Sequence, residues 1–340
     1  MVKFAAVGID HTHIFDHIKG LTAAGAEFAG YCPQTTVPAI LERMRDTYPQ
    51  AKALDREAIF ADPSIDIVCI AAVPRDRADL AIRAMEAGKD VMVDKPGVTT
   101  FEQLERVKEA VSRTGRIFSV FFSERLGVRS AVVAGKLVAD GAIGTVVQTL
   151  GMGPHKKQLV SRPDWFLKPE AYGGVINDIA SHQIDQFLYY TGSETAEVVA
   201  SSIGNFGTPQ SAEFQDFGEV LLRSDRASGY HRVDWFTPDG LPTWGDGRLT
   251  ILGTEGYIEL RKYIDIAGRP GKDHLFIVDG KGVRHMDCSG EPLDYFPAFL
   301  NDVRERTETA LSQRHVFEVC RLALEAQAKA AVITRAGASR

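Results

Sequence analysis

The sequence has few cysteines, and none of its hydrophobic runs is long. Its four cysteines stand far apart without a C-x-x-C pair, a pattern that argues against structural disulfides and zinc knuckles. No apolar stretch reaches the roughly 18 residues of a transmembrane helix, and no basic and apolar leader precedes the first strand pattern. We therefore expect a cytoplasmic protein with no membrane partner.

An excess of basic charge is also missing. The sequence has 39 Lys and Arg residues against 45 Asp and Glu residues, which gives a formal net charge of -6, and the basic residues are scattered. Proteins that bind nucleic acids usually carry a basic patch, so we expect no nucleic-acid partner. A hydrophobic content of 44% and a charged content of 25% exclude disordered and fibrous classes. A small-molecule ligand fits this composition better.

The length of 340 residues is enough for two domains, each with its own core. Short β-rich runs alternate with amphipathic helical stretches over the first 120 residues or so, as in βαβ units, whereas alternating strand patterns dominate after residue 145. We predict an α/β protein with a Rossmann-type parallel sheet in residues 1–124. Residues 125–340 are predicted to form an α+β domain with a large, mainly antiparallel sheet, closed by one helix over residues 295–331. The uncovered face of that sheet predicts a homodimer or homotetramer.

The turn after the first predicted strand is where a Rossmann fold holds a pyrophosphate. It reads Gly8-Ile9-Asp10-His11-Thr12-His13, so only the first glycine of G-x-G-x-x-G is present. Asp10 is expected to bring a negative charge to the place of the pyrophosphate and to weaken its binding. The acidic residue that often binds a ribose hydroxyl is missing, and Cys32 and its neighbours stand there instead. These residues alone do not establish a dinucleotide site.

Two further segments carry a family resemblance. Asp94-Lys95-Pro96 is similar to the E-K-P segment of the Gfo/Idh/MocA oxidoreductases, and Gly173-Gly174-x3-Asp178-x3-His182-x2-Asp185 is similar to their G-G-x3-D-x3-H-x2-D helix. The resemblance implies an enzyme that uses NAD or NADP. It further implies that the substrate is a sugar, sugar acid or cyclitol, oxidised or reduced at a hydroxyl.

The same resemblance assigns roles to individual residues. Lys95 and His182 are implied to transfer the proton and Asp178 to position the substrate, which suits a histidine that titrates near neutral pH and a lysine that stabilises an alkoxide. Asp185 is expected to be structural. The expected cofactor contacts are Gly8, Asp10, His11, Thr12, His13, Cys32, Ala72, Pro74, Asp94 and Lys95. The expected substrate contacts are Arg162, Trp165, Asp178 and His182.

The histidines of the first turn leave other interpretations open. Asp10, His11 and His13 could bind a metal ion, with Asp94, His155 or His182 completing the shell, because imidazole and carboxylate are good ligands for zinc or manganese. An alternative function is then a metal-dependent or cofactor-free lyase, isomerase or hydrolase that uses the same cleft. A non-catalytic ligand-binding protein is the third alternative.

Overall fold

Two β-sheets and the helices that cover them make up the protein in the computed structural model, which describes residues 1–334. The strands are β1 Lys3–Ile9, β2 Glu27–Tyr31, β3 Lys52–Ala53, β4 Ile67–Ala71, β5 Asp90–Asp94, β6 Phe118–Phe121, β7 Val146–Pro154, β8 Glu197–Gly204, β9 Phe217–Arg223, β10 Ser228–Asp234, β11 Arg248–Gly253, β12 Gly256–Arg261, β13 His274–Asp279, β14 Gly282–Asp287 and β15 Ala331–Ile333. The α-helices are α1 Ile14–Ala23, α2 Pro38–Thr47, α3 Arg56–Ala61, α4 Arg77–Glu86, α5 Phe101–Thr114, α6 Ser123–Leu126, α7 Arg129–Ala139, α8 Pro169–Tyr172, α9 Ser181–Thr191, α10 Tyr295–Glu305 and α11 Gln313–Lys329. Among the described helices, none is both long enough and apolar enough to cross a membrane.

The first sheet is parallel throughout and has the strand order β3-β2-β1-β4-β5-β6. Strands β4 and β5 are buried along their whole length because helices cover both faces. The carboxyl ends of β1, β4 and β5 meet at one edge of the sheet, which is where open parallel sheets bind their ligands. The predicted Rossmann-type sheet is therefore confirmed.

The second sheet has nine strands in the order β14-β13-β12-β11-β7-β10-β9-β8-β15. It is mainly antiparallel, with two parallel pairs, β7 with β10 and β8 with β15. Side chains alternate along its strands, so that one face packs against α9, α11 and α7 and the other face is open. This arrangement confirms the predicted α/β class with a large, mainly antiparallel second sheet.

The prediction of one closing helix over residues 295–331 is wrong, because two helices, α10 and α11, occupy this range. Helix α10 ends at Glu305, because Arg306 adopts the left-handed conformation with φ 58°. The buried carboxylate of Asp302 holds the following turn by accepting hydrogen bonds from Thr309 and from the backbone N–H of Ala310. Ser312 then caps α11 by accepting a hydrogen bond from the backbone of His315.

Helix α11 joins the two sheets. The side-chain amide of Gln313 accepts a hydrogen bond from the backbone N–H of Phe118, in edge strand β6, and donates one to its carbonyl, each at 3.1 Å. Farther along the helix, the Ser201 hydroxyl of β8 donates to the carbonyl of Ala326 at 2.7 Å. A single helix thus contacts an edge strand of the first sheet and a strand of the second.

The fully buried carboxylate of Asp185 in α9 joins two other segments. It accepts two hydrogen bonds of 2.7 Å from Arg125 in α6 and lies 2.7 Å from Nε2 of His315 in α11. Burial alone would raise the pKa of Asp185, but the Arg125 guanidinium and His315 lower it to about 2. This ion-paired environment confirms the structural interpretation of Asp185.

Candidate active site

A cleft of about 800 Å³ lies between the carboxyl edge of the parallel sheet and the second sheet. It is lined on one side by His11, Thr12, His13, Pro74 and Lys95, which follow strands of the first sheet. Arg162, Trp165, Asp178 and His182 line it from the other side. Most of the predicted site residues are therefore brought together from segments that are far apart in the sequence.

Lys95 and Asp178 form an ion pair in this cleft. Lys95 follows the end of β5, and its Nζ lies 2.9 Å from Oδ1 of Asp178. Asp178 belongs to a single π-turn, Ile176–Ala180, which begins two residues after Gly174; Gly173 and Gly174 both have positive φ angles. The predicted helix face that carries Asp178 therefore begins as a π-turn, a feature that is frequent at functional sites.

His182 lies one turn farther along, in α9, and only 2% of its surface is exposed. Its Nδ1 atom has no hydrogen-bond partner among the described residues. Burial and the positive charges of Lys95 and Lys262 hold the pKa of His182 well below 6.5. The imidazole is therefore neutral at physiological pH and can accept a proton.

Asp94 is the centre of a second group of charged and polar side chains. Its carboxylate lies 2.8 Å from Nδ1 of His13, 3.6 Å from Nδ1 of His11 and 2.9 Å from a terminal nitrogen of Arg77. Burial alone would raise the pKa of Asp94, but the charges of His13 and Arg77 hold it well below the usual range. Burial also lowers the pKa of His11 well below 6.5. The group thus joins an ionised carboxylate to a neutral imidazole.

The structure places Asp10 differently from its neighbours in the turn. Its carboxylate is almost fully buried, and Oδ1 accepts hydrogen bonds from the hydroxyls of Thr35 and Thr36 and from the backbone N–H of Thr36. The carboxylate of Asp10 is thus bound by the loop after β2 and lies outside the cleft lining, and its expected repulsion of a pyrophosphate stays a prediction. Asp94 takes the place of Asp10 in the group of potential metal ligands with His11 and His13.

Comparison with known protein families shows which family the chain belongs to. The model of the oxidoreductase family with an NAD-binding Rossmann fold matches residues 24–122, and the model of the Gfo/Idh/MocA C-terminal domain matches residues 132–259. The chain belongs to the Gfo/Idh/MocA family. The family resemblance seen around Lys95 and in the Asp178 segment is confirmed.

Three similar proteins illustrate the range of this oxidoreductase family. A crystal structure from Erwinia carotovora atroseptica, assigned as an oxidoreductase, is 46% identical and has a TM-score of 0.94, with 98% of this chain and 100% of that chain covered. The NAD⁺-dependent scyllo-inositol 2-dehydrogenase of Bacillus subtilis is 28% identical over 67% of this chain; the match spans 62% of that relative's length. Levoglucosan dehydrogenase in complex with NADH and levoglucosan has the same fold, with a TM-score of 0.78 at 19% identity, and 96% of this chain and 97% of that chain are covered.

The altered turn still fits the anionic part of a nicotinamide dinucleotide. Gly8 has a φ angle of 68°, and a Cβ atom there would lie 2.5 Å from that of Ala72, so the turn needs glycine at this position. Thr12 lines the cleft just before the ten-residue helix α1, and its backbone N–H has no acceptor within residues 1–334. Free N–H groups at a helix N-terminus bind phosphate groups well.

Not every predicted cofactor residue lines the cleft. Cys32, Ala72 and Asp94 are buried, at 1–2% exposure, and lie outside the lining, as do Gly8 and Asp10. Cys32 offers no obvious partner for a ribose hydroxyl, because its thiol is buried. The roles of these residues as direct cofactor contacts stay predictions.

The wall formed by the second sheet combines the predicted Arg162 and Trp165 with Trp235, which sequence reasoning missed. Arg162 donates to the carbonyls of Lys156 and Lys157, and its guanidinium stacks over the rings of Phe166 and Trp235. The indole N–H groups of Trp165 and Trp235 have no acceptor among the described residues. Trp235 comes from the end of β10, 70 residues beyond Trp165, and no local motif marks it.

Proposed function

We propose that the protein is an NAD(P)-dependent dehydrogenase or reductase that acts on a hydroxyl of a sugar, sugar acid or cyclitol. The observation that carries the proposal is the Lys95–Asp178 ion pair with neutral His182 on the next turn, all lining one cleft. The inositol dehydrogenase relative and the NADH complex of levoglucosan dehydrogenase support the substrate class and the cofactor.

Each member of this group has a defined task in the proposal. His182 accepts the hydroxyl proton at a ring nitrogen, since its imidazole is neutral. Lys95 stabilises the developing alkoxide with its positive charge, and Asp178 holds both Lys95 and the substrate hydroxyl in position. Hydride transfer is the chemistry that the nicotinamide supplies when bound.

Other residues bind the two ligands in this proposal. Thr12 and the start of α1 hold the pyrophosphate, while Pro74 and Lys95 flank the nicotinamide end. Arg162 donates to substrate oxygens, and the aromatic rings of Trp165 and Trp235 pack against the apolar face of a sugar or cyclitol.

The proposed assembly uses the open face of the second sheet. We assign residues 1–124 to cofactor binding, and residues 125–340 to substrate binding and subunit contacts. Leu150, Tyr230, Leu252 and Tyr257 are each exposed by 40–42% on that sheet. A homodimer or homotetramer formed through this face removes these side chains from water.

Titration of the metal-stripped protein with NAD, NADH, NADP and NADPH, followed by calorimetry, tests the proposal. We expect binding of at least one dinucleotide with a Kd in the micromolar range, and reduction of the oxidised cofactor at 340 nm with a polyol substrate. Failure of all four to bind would contradict the proposal and favour a lyase, isomerase or hydrolase, for which the convergence of His11, His13 and Asp94 is the supporting observation.

A further inference from the structure

The side chains of His11, His13 and Asp94 converge on one point. The proposed redox chemistry at Lys95 and His182 makes no use of this arrangement. Each offers one ligand atom, and the three atoms lie within 4.8 Å of one another. His11 and His13 come from the turn before α1, whereas Asp94 ends β5. We call these three residues the His₂Asp cluster.

The spacing within the His₂Asp cluster matches that of ligands around one metal ion. Imidazole nitrogens and carboxylate oxygens bind zinc-like cations at about 2.0–2.2 Å, which puts neighbouring ligand atoms roughly 3–3.4 Å apart. The Nδ1 atoms of His13 and His11 lie 2.8 and 3.6 Å from the two oxygens of Asp94. A slightly shorter His11–Asp94 distance and a slightly longer His13–Asp94 distance would bring both separations to that spacing.

No direct hydrogen bond joins His11 to the carboxylate of the His₂Asp cluster. Nδ1 of His11 lies 3.6 Å from Oδ2 of Asp94, and it accepts a hydrogen bond of 3.3 Å from the backbone N–H of His13. An unprotonated imidazole nitrogen has one lone pair, so metal binding at this atom replaces that hydrogen bond.

Arg77 orients the carboxylate of the cluster. It is fully buried and donates to Oδ2 of Asp94 at 2.9 Å and to the carbonyls of Ala72, Asp94 and Pro96 at 2.8–3.1 Å. Metal-binding carboxylates commonly have such a hydrogen-bonded partner, which fixes their position. On the other side, His11 and His13 line the cleft with 21% and 28% of their side chains exposed, so an ion there can be reached from solvent.

We propose that His11, His13 and Asp94 bind one divalent transition-metal cation, with its remaining coordination positions open to the cleft. Two imidazoles and one carboxylate favour zinc, cobalt, manganese or ferrous iron over calcium and magnesium, which prefer oxygen ligands.

Cobalt binding tests the site without any measurement of activity. The full-length protein is stripped with a chelator and titrated with Co²⁺, which is followed by its visible d–d absorption and by calorimetry. We expect one equivalent to bind with a Kd below about 10 µM and Zn²⁺ to compete for the same site. His13→Ala and Asp94→Asn should each raise the Kd at least about tenfold.

Two matched controls separate the cluster from other histidines. His155→Ala removes another histidine of the same cleft, and His285→Ala removes one of the His274–His285 pair, whose ring nitrogens are 3.1 Å apart on β13 and β14. Both variants should bind Co²⁺ like the unmodified protein. Loss of binding in either control, together with retention in His13→Ala, would overturn the proposal.

A spectroscopic measurement on the unmodified protein tests the site even if the variants do not fold. X-ray absorption of the unmodified protein loaded with Co²⁺ should report two imidazole ligands and additional oxygen ligands. No stoichiometric Co²⁺ or Zn²⁺ binding to the unmodified protein, or a spectrum without two imidazoles, would contradict the site. Because nucleotide affinity is measured separately on metal-stripped protein, either proposal can fail without the other.

Discussion

Lys95 and His182 reach the same cleft from opposite sides, Lys95 after strand β5 of the first sheet and His182 from helix α9, which packs on the second sheet. We predict that Lys95→Met and His182→Ala each lower kcat at least about 100-fold, because they remove electrostatic and general-base contributions. Steady-state kinetics with the dinucleotide that binds would measure this loss, and circular dichroism would check the fold. Lys108→Met, at a surface position of α5, is the control; near-normal turnover of either cleft variant would remove that residue from the mechanism.

The burial of His17 reduces the stability of the folded protein at acidic pH. It lies fully buried in α1 against the edge of Phe121, and neither ring nitrogen has a partner among the described residues. Burial lowers the pKa of His17 to about 4. The unfolded chain, with a pKa near 6.5, therefore binds a proton that the folded state excludes, and stability falls as the pH drops below about 6.5 towards 4.

His17→Leu should remove this pH dependence. At pH 5 the unmodified protein loses about 2 kcal/mol of unfolding free energy through His17 relative to neutral pH, and the leucine variant does not. Urea unfolding at pH 7 and pH 5 measures the difference. His315→Leu is an informative comparison, because His315 contacts Asp185 and its loss should destabilise the protein. An unchanged pH dependence in His17→Leu would show that this histidine is not buried in its neutral form.

The β1–α1 turn and the loop after β2 are held together by one side chain. Asp10→Ala removes the acceptor of three hydrogen bonds from Thr35 and Thr36, and we predict a loss of about 2 kcal/mol of unfolding free energy. Asp10→Asn keeps an acceptor oxygen and should lose less. Chemical unfolding of both variants tests this order. Equal stability of all three proteins would show that the loop does not depend on Asp10.

The buried parallel strands could be predicted from sequence because each is a short apolar run between helical patterns. The run over residues 65–71 became β4, Ile67–Ala71, and the run over residues 90–93 became β5, Asp90–Asp94. The cleft position of Lys95 and Asp178 was predictable only through the family motifs. Spacing along the chain does not reveal that residues 83 positions apart form an ion pair.

Other parts of the site had no sequence signal. Arg77 lies at the start of α4, where arginines are usually solvated, and only the folded sheet shows that it is buried against Asp94. Asp10 belongs to the same turn as His11 and His13, and the backbone direction that separates its side chain from theirs depends on the loop after β2. Such tertiary contacts cannot be derived from residue order alone.

At the scale of the whole molecule, subunit contacts are predicted to use the second sheet. Leu150 and Tyr230 are neighbours in register on β7 and β10, and both side chains are exposed. We predict that Leu150→Glu converts the oligomer into a monomer in sedimentation velocity, because a charge would have to be buried in the interface. Ile266→Glu, at an exposed position outside the strands, should leave the assembly unchanged. A monomeric unmodified protein at micromolar concentration would contradict the prediction.

The bond between Gln313 and the edge strand β6 also bears on how the protein is made. During translation the first sheet emerges long before α11, so the free backbone of Phe118 and the apolar surface under α11 stay uncovered until residue 329 has left the ribosome. The N-terminal half therefore passes through a nascent-chain stage that invites edge-to-edge association. Covering this edge and this apolar surface is therefore a task of α11 during folding as well as in the folded protein.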